Sequence, residues 1–261
     1  MDSDLHMGAA RLTLTALAGM PLVAAGNDLA GLLAAALRRA DISPADGDIL
    51  VVAQKVVSKA EGRIVDLAAV VASPRAAALA KEVHKDPRLV EVILSESSEI
   101  IRHRKDVLIV AHRLGLVMAN AGVDQSNVAD GNSELVLLLP RDPDASAAAL
   151  KAKIDEEFSV NFGIVINDSF GRAWRNGVVG VALGAAGVPS LRNIIGDPDL
   201  FGRKMRVTEV AIADEIASAA SLLMGEGAEG LPAVHVRGLA CDAPAVSAAA
   251  LLRPKEMDLF R

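Results

Sequence analysis

A chain of 261 residues, 52% hydrophobic and 23% charged, has ample apolar material for one large domain or two modest ones. A net charge of −6 argues against a nucleic-acid surface as the main business. The single Cys, Cys241, excludes a disulfide framework or a multi-Cys zinc site, and five scattered His residues give no ligand pair for a metal.

The uncharged run from Leu12 to Asn27 is broken by Pro21 and falls short of the roughly 20 residues a spanning helix needs. Asp2 and Asp4 stand where a signal peptide would carry positive charge. A second uncharged run, Asn176 to Leu191, is dense in Gly and contains Pro189, so both belong to a soluble, cytoplasmic fold. The segment 28–39 places apolar residues at 29, 32, 33, 36 and 37, one helical face, with Asn27 or Asp28 as cap. GDILVVAQ, 47–54, reads as a buried strand, and KVVSKAEGR leads away from it. Ser73 followed by Pro74 opens a helix over 73–85. VLIVAHR and LGLVMANAG read as two strands joined around Arg113 to Gly115. A strand over 134–140, a helix over 142–158 and a strand over 160–166 follow. Residues 207–225 begin β-like and become an Ala-rich helix that Gly225 ends, and 233–238 is the last strand. Hairpins interrupt the alternation of strand and helix, which favours α+β or a mixed sheet over a doubly wound parallel one. No repeat or linker divides the chain, so one folded unit of one or two lobes is expected.

Three polar clusters end apolar elements. They are NAGVDQSN (120–127), INDSFGRAWRNG (166–177) and MGEGAEG (224–230). Asp124, Asp168 and Glu226 sit there among small residues, where a backbone can approach a ligand closely. Oxygen donors without nearby His or Cys suit Mg²⁺ or Mn²⁺. The bland reading of each is an Asx turn, a cap or a solvated loop. By the same reading Lys59 and Arg63 are surface charges, Trp174 is a packing residue, and Asp214 and Glu215 form a solvated or salt-bridged helix face. No Walker loop, GxGxxG or GxSxG is present. Residue patterns alone therefore stop at metal-dependent phosphate chemistry.

The chain resembles the coenzyme F-420:L-glutamate ligase family through an ordered series of segments. These are GMPLVAAGNDLA, GDILVVAQKVVSKAEGR, NAGVDQSNV, LLLPRDPDASA, INDSFGRAWRNG, GVALGAAGVPSL, DLFGRKMRVTEVAIADEIASAA and MGEGAEGLP. The resemblance implies an unusual α+β fold with mixed sheets and flanking helices, built as an intertwined homodimer. It implies a ligase that uses GTP and two divalent ions, Mn²⁺ or Mg²⁺, with K⁺ as a further candidate. The substrates would be a deazaflavin precursor and L-glutamate, joined through an acyl phosphate, with further γ-linked glutamate added after the first. No nucleic acid and no membrane enter this reading, and no nitroreductase-like second domain is expected before Arg261.

By position, Asp124, Asp168, Ser169 and Glu226 match the family's metal sites, and Asn127 matches a nucleotide contact. Met20, Pro21, Leu22 and Val23, with Gln54 and Lys59, match nucleotide-contacting positions. Met224, Gly225, Gly227, Ala228, Glu229, Gly230 and Leu231 would form another wall of the same site. Gln54 stands where related chains often carry Ser, and Gly227 where Ala is usual. Arg172 and Arg175 are nominated on charge and placement, as contacts to phosphate or an acidic substrate. Asp124, Asp168, Arg172 and Arg175 are thus the residues expected at the chemistry. Two alternatives stand beside the ligase: another phosphoryl-transfer enzyme for a different carboxylic acid, and a non-catalytic nucleotide-binding protein.

Overall fold

The computed structural model describes residues 10–126, 128 and 134–259. Its central element is a five-stranded mixed sheet in the order β1 (Thr13–Ala16), β12 (Ala233–Arg237), β2 (Ile49–Ala53), β8 (Gly163–Arg172), β9 (Arg175–Ala186). β2 and β8 run parallel, and every other neighbouring pair is antiparallel. β2 is an unbroken apolar run because both of its faces are covered. Leu50 and Val52 join Ile164 and Ile166 in the core under α1 (Leu29–Arg39) and α5 (Pro143–Phe158), while Ile49, Val51 and Val165 face α6 (Ile212–Met224).

Two further cores flank this sheet. The antiparallel β4 (Ser97–Arg104), β5 (Val107–His112) and β6 (Val117–Ala119) are backed by α3 (Pro74–Val83) and α4 (Pro87–Ser95), which bury Leu79, Val83, Val90 and Ile93 against Leu108 and Val110. β3 (Ile64–Asp66) pairs with β7 (Leu135–Leu137), and β10 (Arg192–Asn193) pairs with β11 (Glu209–Val210). Several separate sheets with helices against them make the architecture α+β.

Local chemistry explains the helix starts. Ser73 accepts from the Ala76 N–H at 3.2 Å and Asp142 from the Ala145 N–H at 3.0 Å, each followed by Pro. Asp28 caps α1 by position without a side-chain bond to the helix backbone.

The structure departs from the expected elements in several places, three of which bear on the site and its surroundings. KVVSKAEGR does not simply trail from the strand: α2 (Gln54–Ala60) starts immediately after β2. β4 was missing from the sequence reading because shifts of register, between Ser97 and Glu99 and between Ile100 and Arg102, break its two-residue alternation. The strand expected to stop at Ile166 runs on to Arg172, and the Gly-dense run after Asn176 is its hairpin partner β9. Glycine suits β9 because helices press on it. A Cβ at Gly180 would overlap the Ala217 carbonyl of α6, and one at Gly184 the Pro143 carbonyl of α5. As an edge strand, β9 has outer N–H groups to satisfy. Asp214 accepts from Ala182 at 2.9 Å and Asp144 from Ala185 at 2.8 Å. Asp214 is therefore a half-buried strand partner, not the solvated or salt-bridged helix face expected of it, and burial pushes its carboxyl up.

Trp174 does not pack in the core. It sits at the hairpin tip with φ 65°, 87% exposed. Arg63 is no surface charge either. Its Nη2 lies 2.9 Å from Glu96 Oε2 and its Nε donates to the Leu139 carbonyl at 2.9 Å.

Candidate active site

The carboxyl half of β8 emerges where β2 passes into α2, and there the polar residues collect. Asn167 is buried, and its amide donates to Ser221 Oγ at 3.0 Å on α6. Asp168 follows, half-buried, with its Oδ1 accepting the Ser169 N–H at 2.9 Å. Ser169 Oγ donates to Glu226 Oε2 at 2.7 Å, tying β8 to the loop beyond α6. That loop starts at Gly225 with φ 70° and curls so tightly round Glu229 that a Cβ at Gly225 would overlap its carboxylate. Glu229 in turn accepts the Gly227 N–H at 2.8 Å.

Asp124 approaches from the other side. Its backbone exchanges two hydrogen bonds with Leu137, at 3.0 and 2.8 Å, which pins it to β7. Its side chain accepts the Ser126 N–H at 2.7 Å and the Ser126 hydroxyl at 3.0 Å, and it pairs with Lys55 Nζ at 2.6 Å.

Two cavities meet on this seam. The smaller, about 410 Å³, is walled by Met20, Pro21, Leu22 and Val23, by Gln54, Lys55 and Lys59 of α2, by 167–169 of β8, and by 224–232. The larger, about 860 Å³, is mostly apolar, with Ile101, Ile109, Val117, Phe170 and Val178 beside Arg102, Asp124 and Arg172. Gln54, Asp168 and Ser169 belong to both. Gln54 is buried and its Oε1 accepts from Ser58 Oγ at 3.0 Å.

Electrostatics separates the two aspartates. Burial pushes the Asp168 carboxyl up to about 6; the charges of Asp124 and Glu226 add to this, and the Ser169 N–H and Lys55 oppose it. For Asp124, burial also acts upward, but hydrogen bonds from Lys55 and Ser126 outweigh it and hold the carboxyl below its ordinary value. Burial, then the neighbouring Lys55 charge, lowers Lys59.

Among the described residues no three His, Cys, Asp or Glu side chains stand close enough, as placed, to hold a metal ion together. The donor chemistry does fit one. Asp124, Asp168, Ser169 and Glu226 are hard oxygen donors, and a carboxyl lifted by burial, with like charges adding to it, is one that a divalent cation would relieve. In the arrangement seen, an ammonium, Lys55, supplies the positive charge.

Every carried-over nucleotide position within the described residues lines the smaller cavity, as do Asp168, Ser169 and Glu226; Asn127 lies outside the described residues. Asp124 and Arg172 line the larger cavity, where Arg172 Nε is buried without a hydrogen-bond partner among the described residues. Arg175, opposite Arg172 across the hairpin, is exposed and lines neither.

Sequence reasoning missed Lys55, Ser126, Asn167 and Arg102. Lys55 was findable once α2 is recognised, because it stands one turn before Lys59 on the same face. Arg102 was not, because a bulge aims it. Among the described residues, no helix is long and apolar enough to cross a membrane.

Comparison with known proteins gives a consistent answer. The family model described as F420-0:Gamma-glutamyl ligase matches residues 19–238. The coenzyme F420:L-glutamate ligase of Methanothermobacter thermautotrophicus is 46% identical over 255 residues, covering 96% of this chain and 99% of its own. The enzyme of the same name from Methanopyrus kandleri is 46% identical over 240 residues, 90% of this chain and 92% of its own. That from Archaeoglobus fulgidus is 45% identical over 221 residues, 85% of each.

Proposed function

The chain belongs to the F420-0:gamma-glutamyl ligase family, and from that premise we propose that it attaches L-glutamate to the F420 precursor, using GTP and divalent metal. The observation that carries the reading is the meeting of two unlike cavities on Asp168 and Ser169. A ligase must bring a phosphoryl donor and an acceptor acid to one point. The smaller cavity, with Lys55 and Lys59 on its wall, suits the nucleotide. The larger, apolar with Arg102 and Arg172, suits an acceptor that has both a flat apolar part and an anionic one.

In the proposed sequence, the acceptor carboxylate oxygen attacks the γ-phosphorus. The bond to the β-phosphate oxygen breaks, GDP leaves, and an acyl phosphate remains. The glutamate amine then attacks the acyl carbon, phosphate departs, the amine gives up its proton, and an amide is left. Divalent metal bound by Asp124, Asp168, Ser169 and Glu226 would neutralise charge on the phosphates. The chain's own groups do the remaining work. Lys59 and the loop 225–230 hold the nucleotide, and Arg172 orients the acceptor. The apolar walls of the larger cavity keep water from competing with the amine for the acyl carbon.

Product mass tests this. Purified protein with the deazaflavin precursor, L-glutamate, GTP and Mn²⁺ should yield gains of one or more glutamyl units, and omission of any one component should abolish them. No gain, with nucleotide and metal still bound, would favour a different acceptor acid.

A further inference from the structure

Lys55 and Lys59 stand one turn apart on α2, a like-charge pair that weakens a helix, here one of only seven residues. A cost retained on so short an element asks what the first lysine does. Lys55 Nζ lies 2.6 Å from Asp124 Oδ2 and donates to Ser126 Oγ at 2.7 Å, and Ser126 Oγ donates to the same Oδ2 at 3.0 Å. Lysine and serine thus converge on one carboxylate oxygen, while the Ser126 N–H takes the other at 2.7 Å. The Lys55 side chain remains about one-third exposed, so it can swing away without opening the core. It also forms part of the wall of the smaller cavity, beside Lys59.

We propose that Lys55 is an exchangeable counter-ion, competing with a divalent cation for Asp124 and, once displaced, offering its ammonium to phosphate in the smaller cavity. This rests on the reading that the carboxylates hold metal. It goes beyond that reading by making arrival of the ion and availability of the lysine one event. The geometry supports exchange over a permanent ion pair. A permanent pair needs one carboxylate and one cation, whereas here Asp168 stands within the fields of Asp124, Glu226 and Lys55, so further negative charge borders the Lys55–Asp124 pair, with Lys59 further along the wall. A monovalent ammonium offsets one of those charges, and a divalent ion offsets two.

The sign of the effect on metal affinity decides the matter. Mn²⁺ is titrated into the purified chain without nucleotide, free Mn²⁺ is read by electron paramagnetic resonance, and melting temperature is followed in parallel. Lys55→Met removes the competitor and should tighten Mn²⁺ by about threefold or more, the scale set by a partly exposed ion pair, while turnover falls. Lys55→Arg keeps the charge and should stay within about twofold of the parent. A purely structural lysine would do the reverse, weakening Mn²⁺ as Asp124 loses its support.

Unchanged or weaker Mn²⁺ binding in a folded Lys55→Met protein would overturn the proposal and leave the metal reading intact. No Mn²⁺ binding in the parent would overturn both. Should Lys55→Met fail to fold, amine acylation mapped by mass spectrometry in the parent gives the same decision. Mn²⁺ should increase modification of Lys55, and the absence of any increase would overturn the exchange.

Discussion

Two clusters of charge sit on neighbouring parts of this molecule, and they are built on opposite plans. Around Glu96, one buried carboxylate is surrounded by positive and donor groups. Arg63 Nη2 lies at 2.9 Å, Arg113 Nε at 3.0 Å and His112 Nε2 at 3.4 Å. Burial alone would raise this carboxyl, yet the close approach of His112 and Arg63 and the charges of Arg63 and Arg113 hold it at about 2. At the cavity seam the ratio is inverted. Among the described carboxylates Lys55 pairs with Asp124 alone, and beside that pair Asp168 is driven up to about 6 by burial and then by the charges of Asp124 and Glu226. A cluster with its charge satisfied stabilises the fold. A cluster left with excess charge on the wall of two cavities is arranged for something that binds there.

The largest expected effect breaks the seam. Asp168→Asn keeps the shape and the acceptor for the Ser169 N–H, and removes a charge at the point both cavities share. Turnover should fall by at least about a hundredfold. Stability at neutral pH should hold or rise, because an acid whose folded value lies above its unfolded one opposes folding once it is ionised. Paired steady-state assays and thermal melts measure both. Normal turnover in this variant would remove Asp168 from the site.

Glu96→Gln should behave in the opposite way. Removing a buried, multiply paired carboxylate strands Arg63 and should cost about 3 kcal/mol of stability, while the folded fraction keeps its turnover. The pH dependence gives the same contrast without mutation. Glu96 is depressed in the folded chain, so its contribution is fully present above about 4.5 and is lost as pH falls toward about 2. Denaturant melts across that window should show the loss in the parent and a flatter profile in Glu96→Gln.

The contrast also explains how far the sequence could be read. The sheet core was legible because burial writes itself as composition, in ILVVA of β2, GIVI of β8 and the spaced alanines of α6. Helix starts at Ser73 and Asp142 were legible because capping is local chemistry. The seam was legible only through its small-residue clusters, and one expectation about it was misplaced. Asp168 and Ser169 do not occupy a turn. They lie within a strand that continues because β9 pairs with it, and the glycines that let helices close on β9 read in isolation as loop. Lys55 was passed over because its partner, Asp124, is 69 positions away and is brought there only by the bridge to β7. Long-range pairing leaves no local mark.

The smallest effects lie on the hairpin and sharpen the comparison to two residues. Arg172 and Arg175 face each other in register, one with a buried Nε on the wall of the larger cavity that has no hydrogen-bond partner among the described residues, the other exposed. If charge near the site were enough, the two should be interchangeable. If a desolvated guanidinium aimed at an anionic acceptor is what matters, they should not be. Arg172→Ala should raise the KM for the acceptor about tenfold, the scale of one charge-assisted hydrogen bond, with little change in the KM for GTP. Arg175→Ala should alter either constant less than about twofold, since an exposed charge in water contributes little. Equal losses in the two variants would mean that the hairpin acts as a whole, and the acceptor would then have to be sought along its outer edge.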